Sequence, residues 1–158
     1  MPEAKAVWTS EMQFLGETGS GHAIVLDTPA DAGGRGTGPS PMELVLLGLA
    51  GCTGMDIVFI LKQRMKKPVT AVQVAVSGTR ADEAPKVYTA IEITYRITGR
   101  GLELKDALRA MQLSSSKYCS VEAMLRKTAQ IRARWELVDE LTGETLDGAL
   151  EPEGAVER

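Results

Sequence analysis

The stretch "LVLLGLAGCTGMDIVFIL", residues 44–61, decides how the rest of this chain is read. It is almost unbroken apolar sequence and, at 18 residues, meets the lower limit of length for crossing a bilayer. Asp56 and the glycines Gly48, Gly51 and Gly54 interrupt it. Each glycine inside a helix costs roughly 0.8–1.0 kcal/mol relative to alanine. A helix apolar all round in a soluble protein is buried on every side, and in a chain this small a partner subunit is the natural second wall. The stretch therefore reads as the central helix of a soluble domain, with no membrane role. Its glycines strip side chains from around Cys52, so that a second backbone or a substrate can come close to the sulfur.

Working outward, Ser40 is a suitable N-cap and Pro41 a suitable first helical residue. The helix ends in "KQRMKKP", residues 62–68, where cations suit the negative helix end and Pro68 stops it. The loop before it, "TPADAGGRGTGPSP" (28–41), holds four glycines and three prolines and predicts no regular structure. Arg35 sits at its centre. Further upstream, "AVWTSEMQF" (6–14) reads as a strand with Trp8, Ser10, Met12 and Phe14 on one face, and "GHAIVLD" (21–27) as a second. Downstream, "TAVQVAVSG" (70–78) and "KVYTAIEITYRIT" (86–98) form a hairpin across "RADEAP" (80–85). In the second of these, Val87, Thr89, Ile91, Ile93, Tyr95 and Ile97 share a face. Leu104, Ala107, Leu108 and Met111 mark a helix over about 102–113. A break at "SSSKYC" (114–119) leads to a short helix with Val121, Met124 and Leu125 inward. "AQIRARWELV" (129–138) is the last strand. The order ββ–α–ββ–α–α–β predicts an α+β domain around one buried helix.

A chain of 158 residues is long enough for one self-sufficient core. The net charge of −3 is uneven: residues 139–158 carry seven acids and one base, Arg158. We read residues 1–138 as a single domain and 139–158 as a solvated acidic tail. The weakly basic body lacks a basic patch with interleaved aromatics, which argues against nucleic acid as a partner. "MPEAKAVWTSE" is no signal peptide. Two cysteines 67 positions apart are no secreted disulfide framework, and with His22 alone beside them they make a poor zinc site. A reducing cytoplasm follows as the expected setting, one in which paired thiols serve chemistry more often than architecture.

The chemistry centres on Cys52 and Cys119. Asp56 lies one helical turn from Cys52, so that face is not purely apolar. Cys119 precedes "SVEAML" at a predicted helix start, where the dipole favours thiolate. Arg35, between two glycines, can fold against another surface, stabilise a thiolate and hydrogen-bond a peroxide oxygen. His22 reads as a satisfied sheet residue. "GGRGTG" is no phosphate loop, since no Gly-Lys-Ser/Thr follows.

"SPMELVLLGLAGCTGMDIVFILKQR" (40–64), followed by "KYCSVEAML" (117–125), resembles the OsmC/Ohr family, and within it the YhfA-like branch. The resemblance covers about residues 5–138. It implies an OsmC-like fold: an intertwined homodimer with two central helices packed between sheets and two active sites at the subunit interface. It implies a reactive cysteine on the central helix, Cys52, and a resolving one, Cys119. It assigns the supporting arginine to Arg35, the one arginine before the helix. The family's acid stands ten residues before the reactive cysteine, where this chain has Met42. Glu43 is nine residues before it, and nine residues turn a helix by about 900°, so Glu43 faces away from Cys52.

The function this implies is a thiol-dependent peroxidase acting on a small organic hydroperoxide and reset by an external dithiol. Leu49, Met55, Phe59 and Asp56 form the expected substrate pocket, and no metal or cofactor is called for. The alternative is a non-peroxidase member of the same fold, handling thiols or sulfur or binding a small apolar ligand.

Overall fold

The apolar stretch is helix α1, Pro41–Val58, in the computed structural model, which describes residues 1–151. Its start is a reciprocal capping box. The Glu43 amide donates to Ser40 Oγ (3.3 Å), while the Glu43 carboxylate accepts from the Ser40 amide and hydroxyl, both at 2.7 Å. These bonds hold the Glu43 carboxyl below its ordinary range. Past Val58 the helix widens over Phe59–Arg64, where the Met65 amide reaches back five residues to the Ile60 carbonyl (2.9 Å). Such π-turns are rare and gather at functional sites.

The chain divides into two compact units, Met1–Val45 and a second beginning at Leu46. The first holds an antiparallel sheet of β1 (Ala4–Ser10), β2 (Gln13–Thr18) and β3 (Ala23–Leu26), in that order. The expected single strand over residues 6–14 is therefore a hairpin. Glu11 takes a positive φ of 48°, and the Trp8 indole N–H fixes its carbonyl at 2.8 Å. Trp8 then faces Phe14 across the pair. No glycine, proline or asparagine marks that turn, so nothing in the sequence announced it. His22 leads into β3 with its Nδ1 3.1 Å from Ser20 Oγ, as a satisfied polar residue should be.

The glycine-rich loop is built around one carboxylate. Asp27 is buried, and its oxygens accept from the amides of Thr28 (2.8 Å), Arg35 (3.2 Å) and Thr37 (3.1 Å) and from the Thr37 hydroxyl (2.7 Å). A Cβ on Gly34 would meet the Thr28 carbonyl at 2.0 Å, so only glycine fits that close pass. Ala30–Ala32 form one short 3₁₀ turn.

The second unit is a four-stranded sheet, β4 (Val69–Arg80), β5 (Tyr88–Gly99), β6 (Gln130–Asp139) and β7 (Thr145–Ala149), in chain order. Its β5–β6 pair is parallel and the other two pairs are antiparallel. The parallel step is crossed by α2 (Leu104–Leu113), a second π-turn at Ser114–Tyr118, and α3 (Ser120–Leu125). Ile91, Ile93, Tyr95 and Ile97 are buried on one face of β5 as predicted. Thr89 is not: the register shifts opposite Thr79 and Arg80, and Tyr88 turns inward instead, over Gly78. On β6, Trp135 and Leu137 join the same core, level with Tyr95 and Ile97.

Further expectations need correction here. The segment beyond residue 138 is not wholly a tail, because β7 pairs with β6 and the Trp135 indole donates to the Ala149 carbonyl at 3.1 Å. The rest of the expected tail, residues 152–158, lies outside the described residues. On α3 the inward residue is Glu122, whereas Met124 is exposed.

The helix α1 is not buried on every side of this chain. Leu49, Thr53 and Ile57, spaced by four, form the buried stripe. Met55 and Phe59 stay exposed. Replacing Leu49 by alanine should lower unfolding free energy by about 2–5 kcal/mol, the range for a fully buried leucine, measured by urea denaturation. The four hydrogen bonds to Asp27 depress its carboxyl to about 2. A carboxyl depressed in the folded state favours folding above its unfolded value near 3.9, and that contribution fades as pH falls toward the folded value. The amide resonances of Arg35 and Thr37 should therefore hold steady from pH 7 to 4 and shift with a midpoint near 2. A midpoint near 4 would contradict the anchoring role.

Candidate functional site

Thr53 sets the rotation of α1. It is fully buried, so its hydroxyl must find partners. It finds two: the Tyr95 phenol of β5 at 3.0 Å and Ser114 Oγ, at the end of α2, at 3.1 Å. Burial pushes the Tyr95 phenol far up, so that it stays neutral. With Thr53 fixed against the sheet, Cys52 turns sideways toward the α2–α3 connection. Asp56, one turn on, turns the same way, and the Ser114 hydroxyl donates to Asp56 Oδ2 at 2.9 Å.

Cys119 arrives from the other side. The π-turn at Ser114–Tyr118 ends with the Cys119 amide bonded to the Ser114 carbonyl (2.9 Å), and Cys119 then caps α3, its Sγ accepting from the Glu122 amide at 3.4 Å. The sulfurs of Cys52 and Cys119 and a carboxylate oxygen of Asp56 all lie within 4.8 Å of one another. Both cysteines are free thiols, Cys52 half-buried and Cys119 buried. The helix start does not favour thiolate at Cys119 as expected. Burial and a hydrogen bond with Cys52 push its thiol up to about 12, and the single Glu122 amide offsets little of that.

Beneath Cys119 lies a charged pair absent from the sequence reading. Glu122 is buried, and its Oε1 accepts from the Arg126 guanidinium (2.5 Å) and the Ser115 hydroxyl (2.8 Å). Glu122 Oε2 has no hydrogen-bond partner among the described residues. Together with Arg132 and Arg134 these residues border a pocket of about 650 Å³. The acid was visible only as a first-turn glutamate, a common and usually solvated feature. Thr53 and Ser114 likewise gave no signal, since their role depends on a contact 61 positions apart.

The other expected site residues disperse. Arg35 belongs to the first unit, where its Nε pairs with Glu11 (3.1 Å) and its Nη2 donates to Ser10 Oγ (2.7 Å). The Glu43 carboxylate closes the capping box. The expected substrate pocket splits along the helix. Leu49 packs inward with no exposed surface, Asp56 joins the thiols, and Met55 and Phe59 face out. Those two border an open apolar groove of about 600 Å³ with Gly51, Gly54, Val72 and Val74. A Cβ on Gly48 or Gly51 would meet nothing within 4 Å. Among the described residues of one chain, then, nothing packs against the bared backbone at these two glycines.

The chain has counterparts in sequence and in fold. Protein YhfA of Escherichia coli (strain K12) is 39% identical over 136 residues, covering 86% of this chain and 98% of its own length. A crystal structure of a hypothetical protein from Aquifex aeolicus VF5 superposes with a TM-score of 0.77 at 33% identity, over 89% of this chain and 98% of that one. An organic hydroperoxide resistance protein OsmC from Legionella pneumophila shares the fold, with a TM-score of 0.66 at 19% identity over 88% and 96% of the two chains. The family model for OsmC-like protein matches residues 34–134, the span that contains both thiols, Asp56 and the hydroxyls that orient it, and the chain belongs to that family.

Proposed function

We propose that the protein is a two-cysteine thiol peroxidase that reduces organic hydroperoxides in a reducing cytoplasm. One observation carries the reading: two free thiols, remote in sequence, stand within 4.8 Å of each other. Cys52, the more accessible, is the attacking group. Its thiolate takes the distal oxygen of the hydroperoxide, the O–O bond breaks, and the alkoxide leaves with a proton as alcohol. The resulting sulfenic acid condenses with the Cys119 thiol, forming the disulfide and releasing water. An external dithiol then exchanges with that disulfide, restoring both thiols and leaving as its own disulfide. Arg35, on leaving its Glu11 and Ser10 partners, would stabilise the Cys52 thiolate as a cation. The Legionella protein that shares the fold carries organic hydroperoxide resistance in its name.

The working form is a homodimer in this reading, as OsmC/Ohr proteins commonly are. The exposed Met55 and Phe59, beside half-buried Gly51, support it, since a partner helix would cover these apolar groups. A small apolar ligand in that groove, without peroxide turnover, is the competing reading.

One equivalent of an organic hydroperoxide should cost the reduced protein two hydrogens, mapped by mass spectrometry to a Cys52–Cys119 link. Cys52→Ser should abolish turnover, while Cys119→Ser should stop after one turnover at a Cys52 sulfenic acid that a dimedone-type reagent traps. Protein that stays dithiol under these conditions would sink the peroxidase reading. Phe59→Asp places a charge in the apolar groove. It should shift the protein from dimer to monomer by sedimentation, with its thermal unfolding otherwise cooperative.

A further inference from the structure

We propose that the reduced site is also a binding site for a thiophilic divalent cation, with Zn²⁺ as the natural occupant, held by Cys52 Sγ, Cys119 Sγ and an oxygen of Asp56. The sequence reading set metal aside because the chain has two cysteines and one histidine. The structure supplies the third donor as a carboxylate one helical turn from Cys52. The proposal requires the two thiols to be reduced; it does not require that they turn over peroxide.

The triangle has the right size. At its widest, a cation central to three atoms 4.8 Å apart would stand about 2.8 Å from each. Zinc bonds run about 2.3 Å to sulfur and about 2.0–2.2 Å to carboxylate oxygen, so side-chain shifts of about 0.5–0.8 Å at most close the site. The donor set suits the ion, since two thiolates and one carboxylate are soft enough for zinc and disfavour magnesium or calcium. Three protein ligands leave a fourth position for solvent, on the side where Cys52 and Asp56 are only half-buried.

The surroundings supply what a metal carboxylate requires. Ligating groups are themselves held by outer hydrogen bonds. Here Ser114 holds Asp56, Thr53 lies against Ser114, and Tyr95 anchors Thr53 to the sheet, through contacts of 2.9, 3.1 and 3.0 Å. Asp56 has no part in the peroxide steps, and a carboxylate beside a nucleophilic thiolate repels it. A divalent cation turns that repulsion into attraction. Binding takes both sulfurs as thiolates, so thiol protons leave as the cation enters. The bound cation would also keep both sulfurs from oxidant until the metal is removed.

Cobalt(II) serves as the coloured probe and Zn²⁺ as its competitor, both added to fully reduced protein freed of metal by chelator. The expected result is one Co²⁺ per chain, with intense sulfur-to-metal charge-transfer absorption and visible tetrahedral bands that Zn²⁺ abolishes. The disulfide form of the wild-type protein should lose this spectrum without any substitution. Asp56→Asn should weaken binding by about tenfold or more, because loss of even an outer hydrogen-bond partner commonly costs 10–100-fold. Three results would overturn the proposal: no charge-transfer absorption in protein whose thiols titrate as two per chain, equal binding by the oxidised form, or unchanged affinity in a folded Asp56→Asn. Peroxide turnover is measured separately in chelator-treated protein, so either reading can fail while the other stands.

Discussion

The contact on which this structure depends is the one between the Thr53 hydroxyl and the Tyr95 phenol. A helix as apolar as α1 has no intrinsic preference for which side it buries; hydrophobic burial is non-directional. A buried hydroxyl is directional, because leaving it without a partner costs about 1–3 kcal/mol. Thr53 is satisfied in one rotation of α1 against β5, and that rotation fixes three stripes together. Leu49 and Ile57 pack inward, Cys52 and Asp56 turn toward the α2–α3 connection, and Gly51, Met55 and Phe59 face outward. The placement of the thiol, the shape of the groove and the core follow from a single polar pair in an otherwise greasy helix.

The chain brings its second sulfur to that site by a different device. The connection from α2 to α3 is a π-turn, whose wider ring shifts the backbone relative to a regular helix. The same turn presents Ser114 to Asp56 and to Thr53 and delivers Cys119 as the cap of α3. One π-turn, Phe59–Arg64, follows the helix that carries Cys52, and the other, Ser114–Tyr118, precedes the helix that Cys119 caps; the Arg64 guanidinium bonds the Tyr118 hydroxyl between them at 2.9 Å. Irregular backbone lies where two distant segments must meet.

Periodicity made most of the framework readable. The alternation on β5 and β6, the 3.6-residue period of α2 and the Ser40–Pro41 start of α1 are local patterns, and they appear in the structure close to where the sequence puts them. What was not legible depends on tertiary contact. The hairpin at Glu11 has no turn residue to betray it. The bulge that turns Tyr88 inward breaks an alternation that looks continuous in sequence. Asp27 sits at the end of a strand, and nothing in its neighbours shows that four donors converge on it from a glycine-rich loop. At the site, the two cysteines stood out by residue type alone. Glu122, Thr53 and Ser114 did not, since residues of these kinds are common on solvated surfaces and gain meaning only when buried. The expected thiolate at Cys119 failed for the same reason: a helix start is visible in sequence, while the depth that outweighs it is not.

The separation of the two sulfurs also bears on how the site can behave. A disulfide needs them about 2.05 Å apart, whereas a tetrahedral metal holds two thiolates on bonds of about 2.3 Å with the ion between them. A reduced pair within 4.8 Å, not yet bonded, is compatible with moving inward to either state. The two states exclude each other, because each uses the same lone pairs on sulfur. A carboxylate at the same corner shifts the balance, since it repels a free thiolate and strengthens a bound cation. In the proposed redox and metal readings, Asp56, held in place by Ser114, is therefore the residue that would decide whether this thiol pair is open to oxidant or closed by metal.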